Sequence, residues 1–536
     1  MKKDTSLPAQ GSLRELLEFM FRGSTREVRH LEWPPDVFAL AASVLKATGA
    51  YVEVLSEWRP KGMNAAQWAG HARVVGRRWR QLDSVPEEVM KSWSAVASFP
   101  GRLSEVSRSK KTTAALLQLV AFADEACAGV GIAPEGALID RLSIRAATNL
   151  IVDDTLCEQV LPSKARVLPK LHTPSGGLTI RSLTHHLALI VGNETEVKWD
   201  FLPRETKGKL NLLVVPWPLE MESKQFAPAR ERDGRAFLRH GLLSYHPRED
   251  PRRVRRTLEA LLAQAGERGY RVDAVIYPEL ALTPKEYLAA QNVAFRAGAF
   301  LVGGVAHPPD GSSLARNAVR ISSKLWGGTY ENEQSKHHRW RLDGTQVKTY
   351  GLHWQLDSGR DWWEAIPLER SLVFLPLNPE LTICCLVCED LARQEPVAEI
   401  VRAVGPNLLI ALLMDAPQLP ARWPARYATV LADDPGTSVL TLTSAGMVDL
   451  SRPPSGGVPS RSVAMWKDSA SGAVTMELPI GHQGILLSLW NDVAEERTVD
   501  GRLDGGVSVF PRLADWCSLP GSPENTTASG RAARRT

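Results

Sequence analysis

A glutamate closes a short apolar run in the segment Ala274-Val-Ile-Tyr-Pro-Glu-Leu280. The run is typical of a buried strand, so its pattern predicts that Glu279 lies at the strand's C-terminal end. Open α/β sheets bind their ligands at the carboxyl ends of their strands. A single glutamate at such a place is more often solvated or caps a turn. Its position nevertheless makes Glu279 a candidate general base.

A cysteine follows a second apolar strand, in Leu381-Thr-Ile-Cys-Cys-Leu-Val-Cys-Glu-Asp390. The pattern predicts that Cys388 is the exposed end of this strand and that Cys384 and Cys385 are small core residues. A thiol becomes a nucleophile when its pKa is lowered or when a neighbouring base takes its proton. Cys388 is therefore a candidate nucleophile.

The same cysteines allow a metal-site interpretation, because Cys385 and Cys388 form a CxxC pair. Residues three apart in an extended strand point to opposite faces of the sheet, so these two could share a tetrahedral ion only across a turn. The chain has no second CxxC pair. This spacing argues against zinc, and we expect no metal.

Taken in order, these motifs resemble the nitrilase, or carbon-nitrogen hydrolase, superfamily: a strand ending in Pro-Glu, then a lysine, then a cysteine followed by an acid and Asp. The resemblance covers roughly residues 205 to 495. It implies a catalytic set of Glu279, Lys336 and Cys388, with Lys324 as an alternative lysine. It also implies a supporting glutamate before the cysteine, Glu364 or, failing that, Glu369.

The resemblance further implies hydrolysis of a non-peptide amide or nitrile through a cysteine thioester, with neither a metal nor an organic cofactor. Glu389, next to the cysteine, is expected to support the site. The partners so implied are a small amide or nitrile substrate and a second copy of the chain in a homo-oligomer. The sequence departs from the family in a long stretch between Lys336 and Glu364. A second long, charged loop runs from Pro218 to Asp250, and we expect it over or near the site.

The elements that must position these residues are short β-rich runs that alternate with helical stretches from Leu210 onward, the pattern of an α/β domain. With the resemblance, this predicts a four-layer αββα sandwich. The predicted strands are Leu210 to Val215, Ala274 to Tyr277, Phe300 to Val305, Ala318 to Ile321, Leu372 to Leu375, Leu381 to Val387, Leu408 to Leu412 and Val439 to Thr443. The clearest predicted helices are Pro251 to Gly266 and Pro284 to Ala297, each with proline at its start.

Four segments follow from these patterns. Residues 1–150 show apolar residues at helical spacing and are expected to form a mainly helical domain. Residues 151–204 are a connector, residues 205–495 the nitrilase-like domain, and residues 496–536 an extension. The extension is expected to end in a disordered tail, Leu519 to Thr536, which is rich in Ser, Thr, Gly and Arg.

The composition indicates the general class of protein. The chain has 536 residues, is 44% hydrophobic and 23% charged, and carries a net charge of +4, which is ordinary for a folded globular protein. No apolar run is long enough to span a bilayer, and the N-terminus lacks the apolar region of a signal peptide.

Six cysteines with three clustered together do not suggest a disulfide framework. We expect a cytoplasmic protein with reduced thiols.

Three other functions stay open at this point. The Cys-Glu-Asp motif is similar to the glutaminase domains of NAD synthetases, although the nucleotide loop of the synthetase is missing. A catalytically weak sensing or signalling module, such as those in bacterial defence systems, would explain the helical extension. The basic segment Arg73-Val-Val-Gly-Arg-Arg-Trp-Arg80 could contact nucleic acid, but it is more typical of a solvated helix face, so we consider nucleic acid unlikely.

Overall fold

The computed structural model describes residues 11–21, 32–52, 59–60, 62–132, 140–174, 176–193, 195–204, 208–229, 240–309, 314–325, 327–451 and 460–521. Its N-terminal part is helical, as predicted. The six helices there are α1 (Leu13–Met20), α2 (Pro34–Thr48), α3 (Ala65–Arg80), α4 (Glu87–Ala97), α5 (Lys110–Ala126) and α6 (Arg141–Asp153).

Strands and helices alternate through the rest of the chain. The elements up to residue 325 are β1 (Ala165–Pro169), β2 (Leu187–Val191), β3 (Glu196–Trp199), β4 (Lys209–Val214), β5 (Phe226–Pro228), β6 (His240–Tyr245), α7 (Pro251–Glu267), β7 (Ala274–Leu282), α8 (Pro284–Arg296), β8 (Phe300–His307) and β9 (Arg316–Leu325). Those that follow are β10 (Gly328–Ser335), β11 (Arg341–Leu342), α9 (Gly344–Thr349), β12 (Asp361–Glu364), β13 (Ser371–Asn378), β14 (Leu381–Val387), α10 (Glu399–Val404), β15 (Leu408–Leu412), α11 (Trp423–Asp433), β16 (Ser438–Leu442), α12 (Ala445–Leu450), β17 (Ser462–Lys467), β18 (Val474–Glu477), β19 (His482–Ala494) and β20 (Ser508–Pro520).

Two seven-stranded mixed sheets pack face to face. One has the order β10-β9-β8-β7-β4-β19-β20 and the other β18-β17-β16-β15-β14-β13-β3. Helices α7 and α8 cover the outer face of the first sheet, and α11 lies on the outer face of the second. The predicted four-layer αββα architecture is therefore confirmed.

Alternation of side chains along the strands explains the layering. In β4, Leu212 and Val214 pack into the core between the two sheets, whereas Leu213 and Val215, the residue directly after the strand, pack with the helical layer formed by α7 and α8. Successive residues of a strand point to opposite faces, so a strand that is apolar at every position is buried on both. This is why the predicted strands read as continuous apolar runs.

The two long segments in which the sequence departs from the resemblance form one structure. Strands β5 and β6 from the loop Pro218 to Asp250, with β11 and β12 from the stretch between Lys336 and Glu364, make a four-stranded sheet in the order β11-β12-β6-β5. This small sheet and α9 share a hydrophobic core with Leu280, Ala306 and Met414, which lie at or beyond the ends of sandwich strands. The small sheet therefore covers that edge of the sandwich, as expected of the loop from Pro218 to Asp250.

A buried ion network joins the N-terminal helices to the C-terminal segment. The Arg502 guanidinium donates to Asp124 at 2.9 Å, Glu125 at 2.9 Å and Asp500 at 2.8 Å. Asp124 also accepts the backbone N–H groups of His185 and Leu187. Residues from three of the four predicted segments thus meet at one buried arginine.

The sandwich takes strands from outside residues 205–495. Strand β3, in the predicted connector, pairs parallel with β13, and β20 pairs with β19 along the edge of the first sheet. Leu519 and Pro520, expected at the start of a disordered tail, lie in β20. Residues 522–536 of that tail lie outside the described residues.

The basic segment predicted from sequence lies on α3. Trp79 is fully buried, and Arg80 donates to Asp140 at 2.7 Å and to the Ala128 carbonyl. Arg73 donates to the Leu503 carbonyl at 2.9 Å, and Arg78 to Glu88 at 2.6 Å. Three of the four arginines are thus held within the chain, and the tryptophan presents no surface for stacking. Separately, no helix among the described residues is long and apolar enough to cross a membrane.

Candidate active site

Glu279 lies inside β7 rather than at its end, which corrects the predicted strand boundary. The strand continues to Leu282, but its pairing with β8 shifts between Tyr277 and Leu282. Within this irregular stretch Leu280 has a φ of 51°, in the left-handed region that costs a non-glycine residue about 1 kcal/mol. The irregularity, and not a strand terminus, turns the Glu279 carboxylate into the site.

Gly304 on β8 permits this backbone course. A Cβ at this position would lie 2.2 Å from the Pro278 carbonyl oxygen and 2.6 Å from the Glu279 Cα. Both neighbours are backbone atoms, so a side chain here displaces the segment that carries Glu279.

Gly304→Ala is expected to lower the free energy of unfolding by about 1–3 kcal/mol, the usual range for overpacking, and to lower turnover through the displaced Glu279. Denaturant unfolding and steady-state rates measure the two effects. Gly328→Ala is the matched control, because a Cβ there meets nothing within 4 Å. Equal stability of the two variants would contradict the role given to Gly304.

Lys336 follows β10 directly, and its side chain is 1% exposed. Its Nζ donates to Glu279 Oε1 at 2.7 Å and to Glu364 Oε2 at 2.7 Å. Glu364 is the last residue of β12, so the second carboxylate comes from the small sheet. The structure thus brings Glu279, Lys336 and Glu364 together in one buried contact.

Asn317 is part of the same cluster, and sequence analysis did not assign it a role. Its Nδ2 donates to Glu279 Oε1 at 2.8 Å and to Glu364 Oε1 at 2.7 Å. The backbone carbonyl oxygen of Asn317 accepts a hydrogen bond from the backbone N–H of Lys336 at 2.8 Å. Asn317 therefore fixes both carboxylates and the lysine backbone. The pairing of β9 with β10, which sets Ser335 opposite Ala318, brings it there.

Cys388 lies immediately after β14, at the start of a tight turn, with a φ of 49°. It is only 2% exposed, which corrects the expectation of an exposed strand end. A non-glycine residue in this strained conformation is uncommon and is often found at functional sites. The turn carries the thiol out of the strand direction, away from Cys384 and Cys385 within β14.

Burial shapes the electrostatics of the cluster. Burial of Cys388, with the negative charge of Glu279, raises the pKa of the thiol well above its ordinary value, although Lys336 and the Met414 amide oppose this. Burial also raises the pKa of Glu279. For Lys336, burial lowers the pKa, but the charges of Glu279 and Glu364 outweigh it and the net pKa is raised. The lysine is thus cationic, and the thiol stays protonated until a base accepts its proton.

Glu279 is able to be that base. Its Oε1 accepts two hydrogen bonds, whereas its buried Oε2 accepts none from the described residues. A buried polar atom without a partner is costly in a folded protein and is often found at a functional site. The free oxygen is therefore available to a thiol, a leaving amine or a water.

Asp390 connects the cysteine turn to the lysine segment. It is 1% exposed and accepts the backbone N–H of His337 at 3.0 Å and the Nδ1 of His338 at 3.0 Å. The sequence contained Asp390 within the Cys-Glu-Asp motif but did not indicate its partner. Its contacts hold the residues directly after Lys336 beside the Cys388 turn.

Two residues proposed from sequence lie away from the cluster. Lys324 is exposed on β9, which removes it as the alternative lysine. Glu369 is exposed and accepts a hydrogen bond from Ser335 at 2.6 Å, so Glu364 is the carboxylate that meets Lys336. Glu389, the predicted supporting residue, pairs with Arg393 rather than with the lysine, but it lines the same cavity as Cys388 and its charge contributes to the raised pKa of that thiol.

Two cavities of about 390 Å³ each meet at the cluster. Glu279, Asn317 and Glu364 line the first, which is mainly apolar. Cys388 lines the second, which is mainly polar. Trp340 and Met414 line both cavities.

The metal interpretation gains no support from the geometry. Within the described part of the chain, no group of three or more His, Cys, Asp or Glu residues is arranged to hold a metal ion. Cys385 lies within β14, where burial raises the pKa of its thiol to about 12. Cys388 instead lies close enough to Glu279 and Lys336 for both charges to act on the pKa of its thiol.

Comparisons with known proteins were made at three levels. No family model and no curated protein matches the sequence. Among solved structures, Nit3 of Saccharomyces cerevisiae, a member of branch 10 of the nitrilase superfamily, is 12% identical. The match covers 61% of this chain and 96% of that chain, at a TM-score of 0.32.

Two further structures are similar. A mutant amidase from Nesterenkonia sp. AN1, with the acetamide moiety of fluoroacetamide on its active-site cysteine, is 15% identical over 62% of this chain and 96% of that one, at a TM-score of 0.31. A CN-hydrolase superfamily protein from Xanthomonas campestris is 13% identical. That match covers 61% of this chain and 95% of the other chain, at a TM-score of 0.29. At such scores these likenesses carry no argument. The αββα sandwich rests on the sheet order, and the candidate site rests on its contacts.

Proposed function

We propose that the chain is a carbon-nitrogen hydrolase of the nitrilase superfamily that cleaves a non-peptide amide or a nitrile through a thioester on Cys388. One observation carries the proposal. A buried lysine lies 2.7 Å from two carboxylates, in a cluster that includes the only strained cysteine among the described residues. This arrangement supplies a base, an oxyanion partner and a nucleophile.

In the first half of the amide reaction, the Cys388 sulfur forms a bond to the carbonyl carbon and Glu279 takes the thiol proton. The tetrahedral intermediate then breaks its C–N bond, and Glu279 passes the proton to the leaving amine. In the second half, Glu279 takes a proton from water, whose oxygen attacks the thioester. The C–S bond breaks, the acid leaves and the proton returns to the thiolate.

Lys336 stabilises the oxyanion in both halves. An ammonium group has three N–H donors, and two of them bind Glu279 and Glu364. The third is therefore available to the developing negative charge. The backbone N–H of the residue after Cys388 is its proposed second donor. Glu364 and Asn317 position the lysine and Glu279 and require no contact with the substrate.

The rate of thioester formation is expected to fall in acid, because Glu279 accepts a proton only when ionised. Burial raises the pKa of this carboxyl, so the acid limb of kcat/KM is expected above the ordinary value of 4.5. Lys336 stays cationic at neutral pH because its pKa is raised. A pH–rate profile measures this, and its inflection belongs to the coupled cluster. A rate that does not change with pH across the acid range would contradict a carboxylate base.

A panel of aliphatic and aromatic amides, glutamine and nitriles, followed by release of ammonia or amine, tests the proposal directly. Release by the wild type that disappears in Cys388→Ala supports hydrolysis. The choice among amide, glutamine and nitrile then distinguishes amidase, glutaminase and nitrilase activity. If the wild type hydrolyses none of them and Glu279→Gln keeps its biological activity, the sensing module replaces the enzyme.

A homo-oligomer is proposed on the resemblance alone. In the family, pairing commonly uses the helical face after the cysteine. Here part of that face meets the chain's own N-terminal region, since Lys46 on α2 pairs with Glu399 on α10 at 3.3 Å and α10 packs against β2. Light scattering at micromolar concentration decides the matter, and a monomer mass would exclude the proposal.

A further inference from the structure

The cavity beside Cys388 contains a buried carboxylate that the proposed mechanism does not use. Asp415 lies just beyond β15, which runs parallel to β14 with Leu412 paired to Val387. Parallel strands bring their carboxyl ends to the same edge of a sheet. Asp415 and Cys388 therefore face the same cavity from neighbouring strands.

Asp415 is rigidly held and 4% exposed. Its backbone N–H donates to Thr443 Oγ1 at 3.1 Å, and its carbonyl accepts from the same hydroxyl at 2.7 Å. Its Oδ1 accepts from the Tyr350 hydroxyl at 2.6 Å and from Arg422 Nη2 at 2.7 Å. The side chain is thus fixed before any ligand arrives.

The other oxygen of this carboxylate has no partner. Asp415 Oδ2 is buried and accepts no hydrogen bond from the described residues. Two donors share Oδ1 while Oδ2 receives none, so the carboxylate keeps an unused acceptor, and Asp415 lines the cavity that also contains the nucleophile. A buried acceptor of this kind is stabilised when a ligand brings a donor to it.

The two cavities correspond to the two parts of an amide. This step rests on the proposed function, in which Glu279 gives its proton to the leaving nitrogen. The leaving group then lies on the Glu279 side, in the mainly apolar cavity. The acyl group, bonded to the Cys388 sulfur, lies in the polar cavity with Asp415.

We propose that Asp415 is a specificity-determining residue that selects amides whose acyl chain carries a hydrogen-bond donor, an amino group in particular. A carboxylate built to receive such a donor discriminates strongly against an analogue without it, because its oxygen is then left unpaired.

Matched primary amides test this, since ammonia is then the leaving group throughout and only the acyl chain varies. The series compares ω-amino, ω-hydroxy, ω-methyl and ω-carboxy amides of equal length. In the wild type, kcat/KM is expected to be at least about tenfold higher for the amino than for the methyl compound, in keeping with the strength of a charge-assisted hydrogen bond. An equal or higher value for the methyl compound overturns the proposal without any variant.

Asp415→Asn keeps the side chain's size and removes its charge. It is expected to lower kcat/KM for the amino compound at least about tenfold and to change the methyl compound less than about twofold. Asp343→Asn is the matched control. It removes another carboxylate from the same cavity, and asparagine retains its N-cap of α9. Equal losses on all substrates, or the same effect from Asp343→Asn, contradict the role of Asp415.

Calorimetric binding of the same amides to Cys388→Ala separates this inference from the proposed function. Selective binding of the amino compound, lost in Cys388→Ala with Asp415→Asn, supports Asp415 even if the wild type hydrolyses no amide. If the whole series is hydrolysed at similar rates and binds with similar affinity, the proposed hydrolase activity stands. The role of Asp415 in specificity is then contradicted.

Discussion

Cys388→Ala is expected to reduce amide turnover by about 10⁶-fold, the magnitude seen when a hydrolase loses its covalent nucleophile. The sulfur forms the acyl bond, and the charges of Glu279 and Lys336 act on the Cys388 thiol but not on those of Cys384 and Cys385. The variant should keep the fold, because alanine fits where the cysteine is buried and loses little apolar contact. Steady-state kinetics on the best substrate of the panel measure the loss, and circular dichroism checks the fold.

Cys384→Ala and Cys385→Ala are the matched controls for this experiment. Both thiols are buried in β14, four and three residues before the nucleophile, and neither lines a cavity at the cluster. Each variant should keep its turnover within a few-fold of the wild type. If Cys388→Ala retains comparable turnover while Cys385→Ala loses it, the nucleophile is assigned to the wrong residue.

Glu279→Gln is expected to lower turnover by about 10² to 10⁴, the usual contribution of a general base. Glutamine preserves the shape of the side chain and its contact with Lys336 but cannot accept the thiol proton. Substrate affinity should survive, because the carboxylate acts on the proton and not on recognition. The loss is therefore expected in kcat, with binding to the Cys388→Ala background unchanged by the second substitution.

Glu369→Gln is the control for this charge change. Glu369 is exposed and binds Ser335 outside the cluster, so its loss should leave kcat unchanged. A wild-type kcat in Glu279→Gln would remove the base from the mechanism. In the wild type, Lys336 would then have only a structural role as the partner of Glu279 and Glu364.

Much of the sandwich was predictable because its strands are short, apolar and buried on both faces. The bounds of β14 and β15 agree with their predicted residues, and α7 and α8 begin at the predicted prolines. The edge strands β3 and β20 were not assigned. They are less continuously apolar, and their place depends on pairing with distant residues.

For the site, the sequence indicated the types of residue involved and their order along the chain, but not the contacts between them. Glu279, Lys336 and Glu364 meet as the family resemblance implied. The roles of Asn317, Asp390 and Asp415 come from contacts across 38 to 65 positions of sequence, which no local pattern reports. The burial of Cys388 was also missed, because a strand end is usually exposed and the residues that share its cavity, Trp340 to Tyr350 among them, are distant in sequence.

Alkylation by chloroacetamide, an electrophile shaped like a small amide, tests the central claim most directly. Cys517 is partly exposed, so the measurement uses a Cys517→Ser background and locates the first adduct by peptide mass mapping. The account predicts that the first adduct forms on Cys388 and that Glu279→Gln slows its formation, since the thiol is protonated until Glu279 takes its proton. A first adduct on Cys384 or Cys385, or a Cys388 rate unaffected by Glu279→Gln, would contradict it.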